Sequence, residues 1–191
     1  DATDIEPEAD FSGMDLSDAN LSDANLSDAN LVRANLSDVN FTGADLSSGL
    51  SKTDLTGADL NRADLSETNL TGADLTDTHC YAADLTGADL TGATLHDAYL
   101  SHAYADQVDL TDADLTDANL TNMRFPNANL SDADLTNADL TGSNLSDADL
   151  TNANLTDTDL TYVRTTDLSE TSLTGADLAD AYLSNTNLTG A

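Results

Sequence analysis

From Leu16 to Leu31 the chain reads LSDANLSDANLSDANL, with a leucine at every fifth position. A five-residue step cannot give a straight element an apolar face. On an α-helix, at 100° per residue, each step of five turns the side chain by a net ~140°, so the leucines wander round the axis. On a flat strand the side-chain period is two, and an odd step sends alternate leucines to opposite faces. The chain must bend once per repeat.

The period persists along the chain. Taking the leucine slot as the centre of a repeat, centres run from Phe11 to Leu46, from Leu50 to Thr165 and from Leu168 to Leu188, 37 in all. All 31 leucines and the three phenylalanines occupy that slot, and Cys80, Ala105 and Thr165 fill the remainder. Two residues earlier stands a small residue, alanine in 23 of the 37 repeats. The slot between them holds Asp 17 times and Asn 11 times. After the centre come Ser or Thr and then Asp, Gly or Asn, the residues of turns. Each repeat therefore reads as a three-residue extended side, apolar on one face, followed by a polar corner.

The pattern A(D/N)LXX, as in ANLSD, ADLTG and ADLTD, resembles that of the pentapeptide-repeat proteins over residues 9–191. The resemblance implies an all-β solenoid, a right-handed quadrilateral β-helix of about nine 20-residue coils. At ~4.7 Å between strands such a rod is roughly 43 Å long. Residues 1–8 form a short acidic leader, and 9–191 one domain. The period breaks near 47–50, where Leu46 and Leu50 lie one residue too close, and near 161–168, where Leu160 and Leu168 lie two too close. Both breaks read as tightened corners. In relatives that protect DNA topoisomerases, projecting loops contact the partner; neither break supplies residues enough for one.

Charge limits the function. The chain has 36 acidic and 5 basic residues, a formal net charge of −31. Few aromatics and high charge ordinarily mean disorder, but stacked repeats build a continuous core that no repeat could bury alone. No apolar run approaches the ~20 residues of a membrane span and no signal peptide is present; the compartment stays open, with the cytoplasm favoured over others. The centre slot places the lone Cys80 in the core as a small hydrophobe. The first residue is Asp1 and the last Ala191, with no capping helix in sequence. That pattern suggests an excised piece, or coil edges that pair end to end with another molecule.

The uncommon side chains cluster. His79, His96, His102, Tyr81, Tyr99 and Tyr104 fall within one stretch. A 20-residue coil places Tyr99 beside His79 on one side, and Arg124 beside Tyr104 on the next. His79, Tyr81, Tyr99, His102, Tyr104 and Arg124 are accordingly the candidate interaction patch, which cross-strand stacking alone also explains. No spacing of His, Cys and Asp marks a metal site, no nucleophile–base pair marks a catalytic one, and a solenoid wall offers no cleft to desolvate a carboxylate. Neither an enzyme nor a cofactor is expected.

The acidity has two readings. Since the slot before the centre accepts Asn, as at Asn20 to Asn40, the fold does not need its aspartates. The excess resembles that of halophile proteins, where surface charge keeps molecules apart in concentrated salt. The expectation is a non-catalytic binding or structural rod with a protein partner, without direct nucleic-acid binding, and with non-specific affinity for cations. The alternative follows from the family resemblance: some members mimic DNA and occupy the DNA site of a type II topoisomerase such as gyrase.

Overall fold

The structure is a computed structural model, and it describes residues 9–26, 29–42, 44–46, 53–165, 168, 170–183 and 186–191. The chain winds into a four-sided coil. The residue before each centre pairs in parallel with its equivalent one coil away, as in Asp10–Asn30, Asp54–Asp74 and Asp114–Asp134. Most sides are too short to be strands. Two reach that length, β1 (Asn144–Leu145) and β2 (Arg164–Thr165), paired in parallel with Asn144 opposite Arg164. Leu31 and Leu55 lie on side 1, Leu36 and Leu60 on side 2, Phe41 and Leu65 on side 3, Leu46 and Leu70 on side 4.

A five-residue period works because it satisfies all five backbone N–H groups. The repeat centred on Leu115 illustrates the scheme. Asp114 N–H donates to the Ala93 carbonyl one coil back, and Leu115 N–H to the Asp134 carbonyl one coil ahead. Asp117 N–H reaches forward to Thr136, while Ala118 N–H closes the corner onto Leu115. The Thr116 N–H has no backbone acceptor. It donates to the Asp114 side chain, Oδ1, at 3.0 Å, and the Thr116 hydroxyl joins it at 2.6 Å. Asn serves equally well, as Asn35 Oδ1 does for Ser37 at 3.2 Å. The slot before the centre thus favours a side-chain carbonyl-type oxygen and is indifferent to charge. This is why Asp and Asn alternate there.

The corners explain the turn residues. Their second position is left-handed, with φ between +54° and +62° at non-glycine residues such as Asp77, Asp117 and Asn122. Asp, Asn and Gly tolerate that region best. Ala82, His102 and Tyr162 also adopt it, against their preference.

The interior is a column of leucines on each side with alanines between them, all buried from Ala24 to Leu168. Phe125, fully buried, lies one coil beyond Ala105 in the side 3 column, a large residue next to the small centre. Threonines in the alanine slot return their hydroxyls to backbone carbonyls, as Thr68 does to Phe41 at 3.0 Å and Thr158 to Leu135 at 2.9 Å. Ser143 Oγ is buried without a partner. Cys80 is buried with its Sγ 3.7 Å from the Thr78 hydroxyl. Burial pushes its thiol up to about 12. The end coils cover less: Met14 is 48 % exposed, whereas Met123 in the equivalent slot is 1 % exposed.

The two breaks differ from one another. Asn30 pairs with Asp54 and Asp45 with Asn69, a spacing of 24 residues where 20 is the rule. Nine residues, not five, carry the chain from Leu46 on side 4 to Leu55 on side 1. This break is therefore an insertion of four residues, and the expected tightened corner is not found. Leu50 mimics the period, but it lies outside the described residues, as do its neighbours in 47–52. The second break does tighten. Asn154 pairs with Ser172 and Arg164 with Tyr182, a spacing of 18, and the two missing residues come from the corner between Thr165 and Leu168. Among the described residues no helix is long and apolar enough to cross a membrane.

Candidate interaction surface

The six candidate residues converge on one edge of the rod, the corner between sides 2 and 3. His79 and Tyr99 are paired neighbours on side 2, their rings stacked with centroids 5.1 Å apart and planes within 6°. Tyr81 and His102 sit on the corner itself in successive coils, edge to face at 5.5 Å. On side 3 the Arg124 guanidinium lies over the Tyr104 ring at 5.5 Å. All six are exposed.

Two of the four ladder substitutions, His79 and Arg124, leave no corner N–H stranded. His79 offers no Oδ1, and the Tyr81 N–H turns instead to Asn61 Oδ1, one coil back, at 2.8 Å. Arg124 also lacks that acceptor, but the residue it would serve is Pro126, which has no N–H to satisfy.

The surface extends further than the six. Side 3 continues through Asn144 and Arg164 to Tyr182, where the Arg164 guanidinium covers the Tyr182 ring at 5.2 Å. Tyr162 is exposed on the same corner. So is Arg62, one coil before Tyr81, where it meets Asp38 at 3.5 Å. All five tyrosines and three of the four arginines therefore occupy this edge and the sides that meet there. The corner residues from Asn61/Arg62 through Tyr81/Ala82, Ser101/His102, Thr121/Asn122 and Thr141/Gly142 to Thr161/Tyr162 include no carboxylate. Side 1, which faces side 3 across the core, carries Asp54, Asp74, Asp114 and Asp134 in its corresponding ladder. Sequence spacing of 20 finds Arg164. It misses Tyr182, which the shortened corner moves into the column at a spacing of 18.

His96, near the six in sequence, lies elsewhere. It occupies the corner between sides 1 and 2 with Asp97, and Asp117 holds the same corner one coil on. The coil gathers these three, although spacings of one and twenty-one residues suggest nothing linear.

Repeats of five, four sides, parallel coil-to-coil pairing and a leucine–alanine core define a class. The family profile described as "Pentapeptide repeats" matches residues 9–47, 50–92, 93–132, 128–163 and 166–191 in eight copies, and the chain belongs to that family, whose fold is the right-handed quadrilateral β-helix. Among solved structures it is similar to HetL, a pentapeptide repeat protein involved in heterocyst differentiation regulation in the cyanobacterium Nostoc sp. strain PCC 7120. The two are 33 % identical over 94 % of this chain and 89 % of HetL, with a TM-score of 0.53. QnrB1, a plasmid-mediated fluoroquinolone resistance protein, is similar in fold: 18 % identity, 95 % of this chain and 90 % of QnrB1 covered, TM-score 0.55. No curated protein sequence matches the chain.

Proposed function

We propose that this chain is a non-catalytic rod of about nine coils that binds a protein partner along the edge between sides 2 and 3, and that its remaining acidic surface serves solubility in concentrated salt. One observation carries this reading: the segregation of every tyrosine and most arginines onto a single edge of a chain with net charge −31. Tyrosine and arginine are enriched among the residues that dominate protein interfaces: Tyr buries a large, rigid ring at low entropic cost, and Arg presents a planar fork of donors that also stacks on aromatic faces. The corner N–H is most often served by an Asp or Asn oxygen before the centre, so ladder positions given to Tyr, Arg or His depart from what the coil prefers. Such departures gathered on one edge support selection for contact.

The test places a photo-crosslinking residue either at Tyr104 or at Asp114 on the opposite side, in cells of the source organism. The expected result is one adduct of defined mass from position 104, lost when Arg124→Asp is added, and none from position 114. Equal adducts from both positions would sink the reading.

The carboxylate ladder of side 1 favours a second reading, mimicry of duplex DNA. A net −31 over ~43 Å is one charge per roughly 1.4 Å, against ~1.7 Å for the duplex. On that reading the protein inhibits supercoiling by the host's type II topoisomerase at the host's salinity, excess duplex relieves the inhibition, and Arg124→Asp leaves it intact.

A further inference from the structure

We propose that His96, Asp97 and Asp117 form a site for one divalent transition cation of the zinc class, on the edge between sides 1 and 2. His96 Nδ1 lies 3.0 Å from the Thr116 carbonyl, an oxygen that can only accept. Nε2 lies 3.1 Å from Asp97 Oδ2, also an acceptor, and Asp117 Oδ2 is 4.0 Å from Nδ1. One ligand atom from each of the three residues falls within 4.8 Å of the other two. With Nδ1 on the carbonyl, Nε2 is the ring nitrogen that faces the Asp97 carboxylate, and a cation between the two would be held by both. Fixing one ring nitrogen on a backbone carbonyl is also how proteins orient an imidazole for a metal on the other.

The geometry suits the metal. An N···O separation of 3.1 Å lets a cation sit about 2.1 Å from both atoms, closing an angle of roughly 95°. Both aspartates are themselves left-handed corner residues, with φ of +56° at Asp97 and +59° at Asp117. Their N–H groups are tied to Thr116 and Thr136. One imidazole with two carboxylates selects a zinc-like ion over calcium or magnesium, which prefer all-oxygen shells. Asp77 lies on the same edge one coil back and deepens the negative potential. The other two histidines differ, because their rings are engaged with Tyr99 and Tyr81.

The test is calorimetric titration of the full chain with Zn2+ in 1 M NaCl, which suppresses diffuse cation binding to the carboxylates. A single saturating equivalent is expected, with chemical-shift perturbation centred on the His96 ring. His96→Ala should weaken it at least tenfold, while Asp97→Asn and Asp117→Asn each weaken it and His102→Ala leaves it unchanged. A tenfold excess of Ca2+ should not displace the zinc. His96 is a corner side chain outside the core, so an unchanged circular dichroism spectrum in His96→Ala verifies that the coil is intact. Many weak sites that salt abolishes, binding unaffected by His96→Ala, or equal loss in His102→Ala would each overturn the assignment.

Discussion

Asp114 separates what the coil needs from what it tolerates. Its Oδ1 accepts the Thr116 N–H at 3.0 Å and hydroxyl at 2.6 Å, and its ladder neighbour is Asp134. Two carboxylates one coil apart, ~4.8 Å, repel by about 0.9 kcal/mol in unscreened water. Screening reduces this to about 0.5 kcal/mol at 0.1 M salt and about 0.2 kcal/mol at 1 M. Asp114→Asn keeps the acceptor and loses the repulsion. It also offers an amide that can reach Asp134, as Asn154 Nδ2 reaches Asp134 Oδ1 at 3.1 Å from the other side. Asp114→Ala loses the same repulsion but strands the Thr116 N–H, at a cost of about 1–2 kcal/mol by analogy with helix N-caps. The Asn variant should therefore melt above wild type at 0.1 M salt, with the advantage shrinking at 1 M. The Ala variant should melt below the Asn variant by about 2–8 °C, taking 2–4 °C per kcal/mol. Because both remove one charge, that gap should not change with salt. Thermal melts at the two salt concentrations decide the matter; equal stability of the Asn and Ala variants would refute the hydrogen-bond argument.

Native Cys80 should resist thiol reagents at pH 8, since its thiol is buried and pushed up to about 12; fast labelling without denaturant would contradict its placement. Ser143→Ala should gain about 1 kcal/mol by removing a buried hydroxyl that lacks a partner, read as a rise in melting temperature. Ala82→Asn should also stabilise, by about 0.5–1 kcal/mol, because Ala82 is held at φ +54°, whereas Ala82→Val at the same place should destabilise. Burial pushes the Asp64 carboxyl up, but hydrogen bonds from the Ser66 hydroxyl and N–H and from the Thr42 hydroxyl outweigh it and hold it below 3.8. The stability it adds is then present above that value and disappears as pH falls through the lowered one. Asp64→Asn should show a shallower loss of stability as pH falls below the ordinary carboxylate range, measured by denaturant titration.

Much of this was legible because the period is written in chemically distinct letters. Leucine, alanine and a turn-forming pair recur without ambiguity, so the four columns and the pairings of His79 with Tyr99 and Tyr104 with Arg124 follow from counting in twenties. Three features do not follow from counting. Leu50 satisfies the apolar pattern while the pairing of Asp45 with Asn69 runs past it. Tyr182 joins side 3 only through the shortened corner. The His96, Asp97 and Asp117 cluster depends on side-chain directions at a corner, and five-residue periodicity leaves these undetermined. The role of Asp and Asn was visible as a preference, but its cause, a single N–H that the backbone cannot serve, emerges only from the hydrogen bonds.

The insertion before Leu55 and the deletion before Leu168 leave the columns on both sides aligned. For a gene, this means that changes in length need not come in multiples of fifteen nucleotides to be survivable. A gain of four codons or a loss of two is accommodated here, and the copies beyond it keep to the same columns. Near-identical tracts such as LSDANLSDANLSDANL are where replication slips most readily. The cross-section of this rod thus stays constant across one gain of four residues and one loss of two.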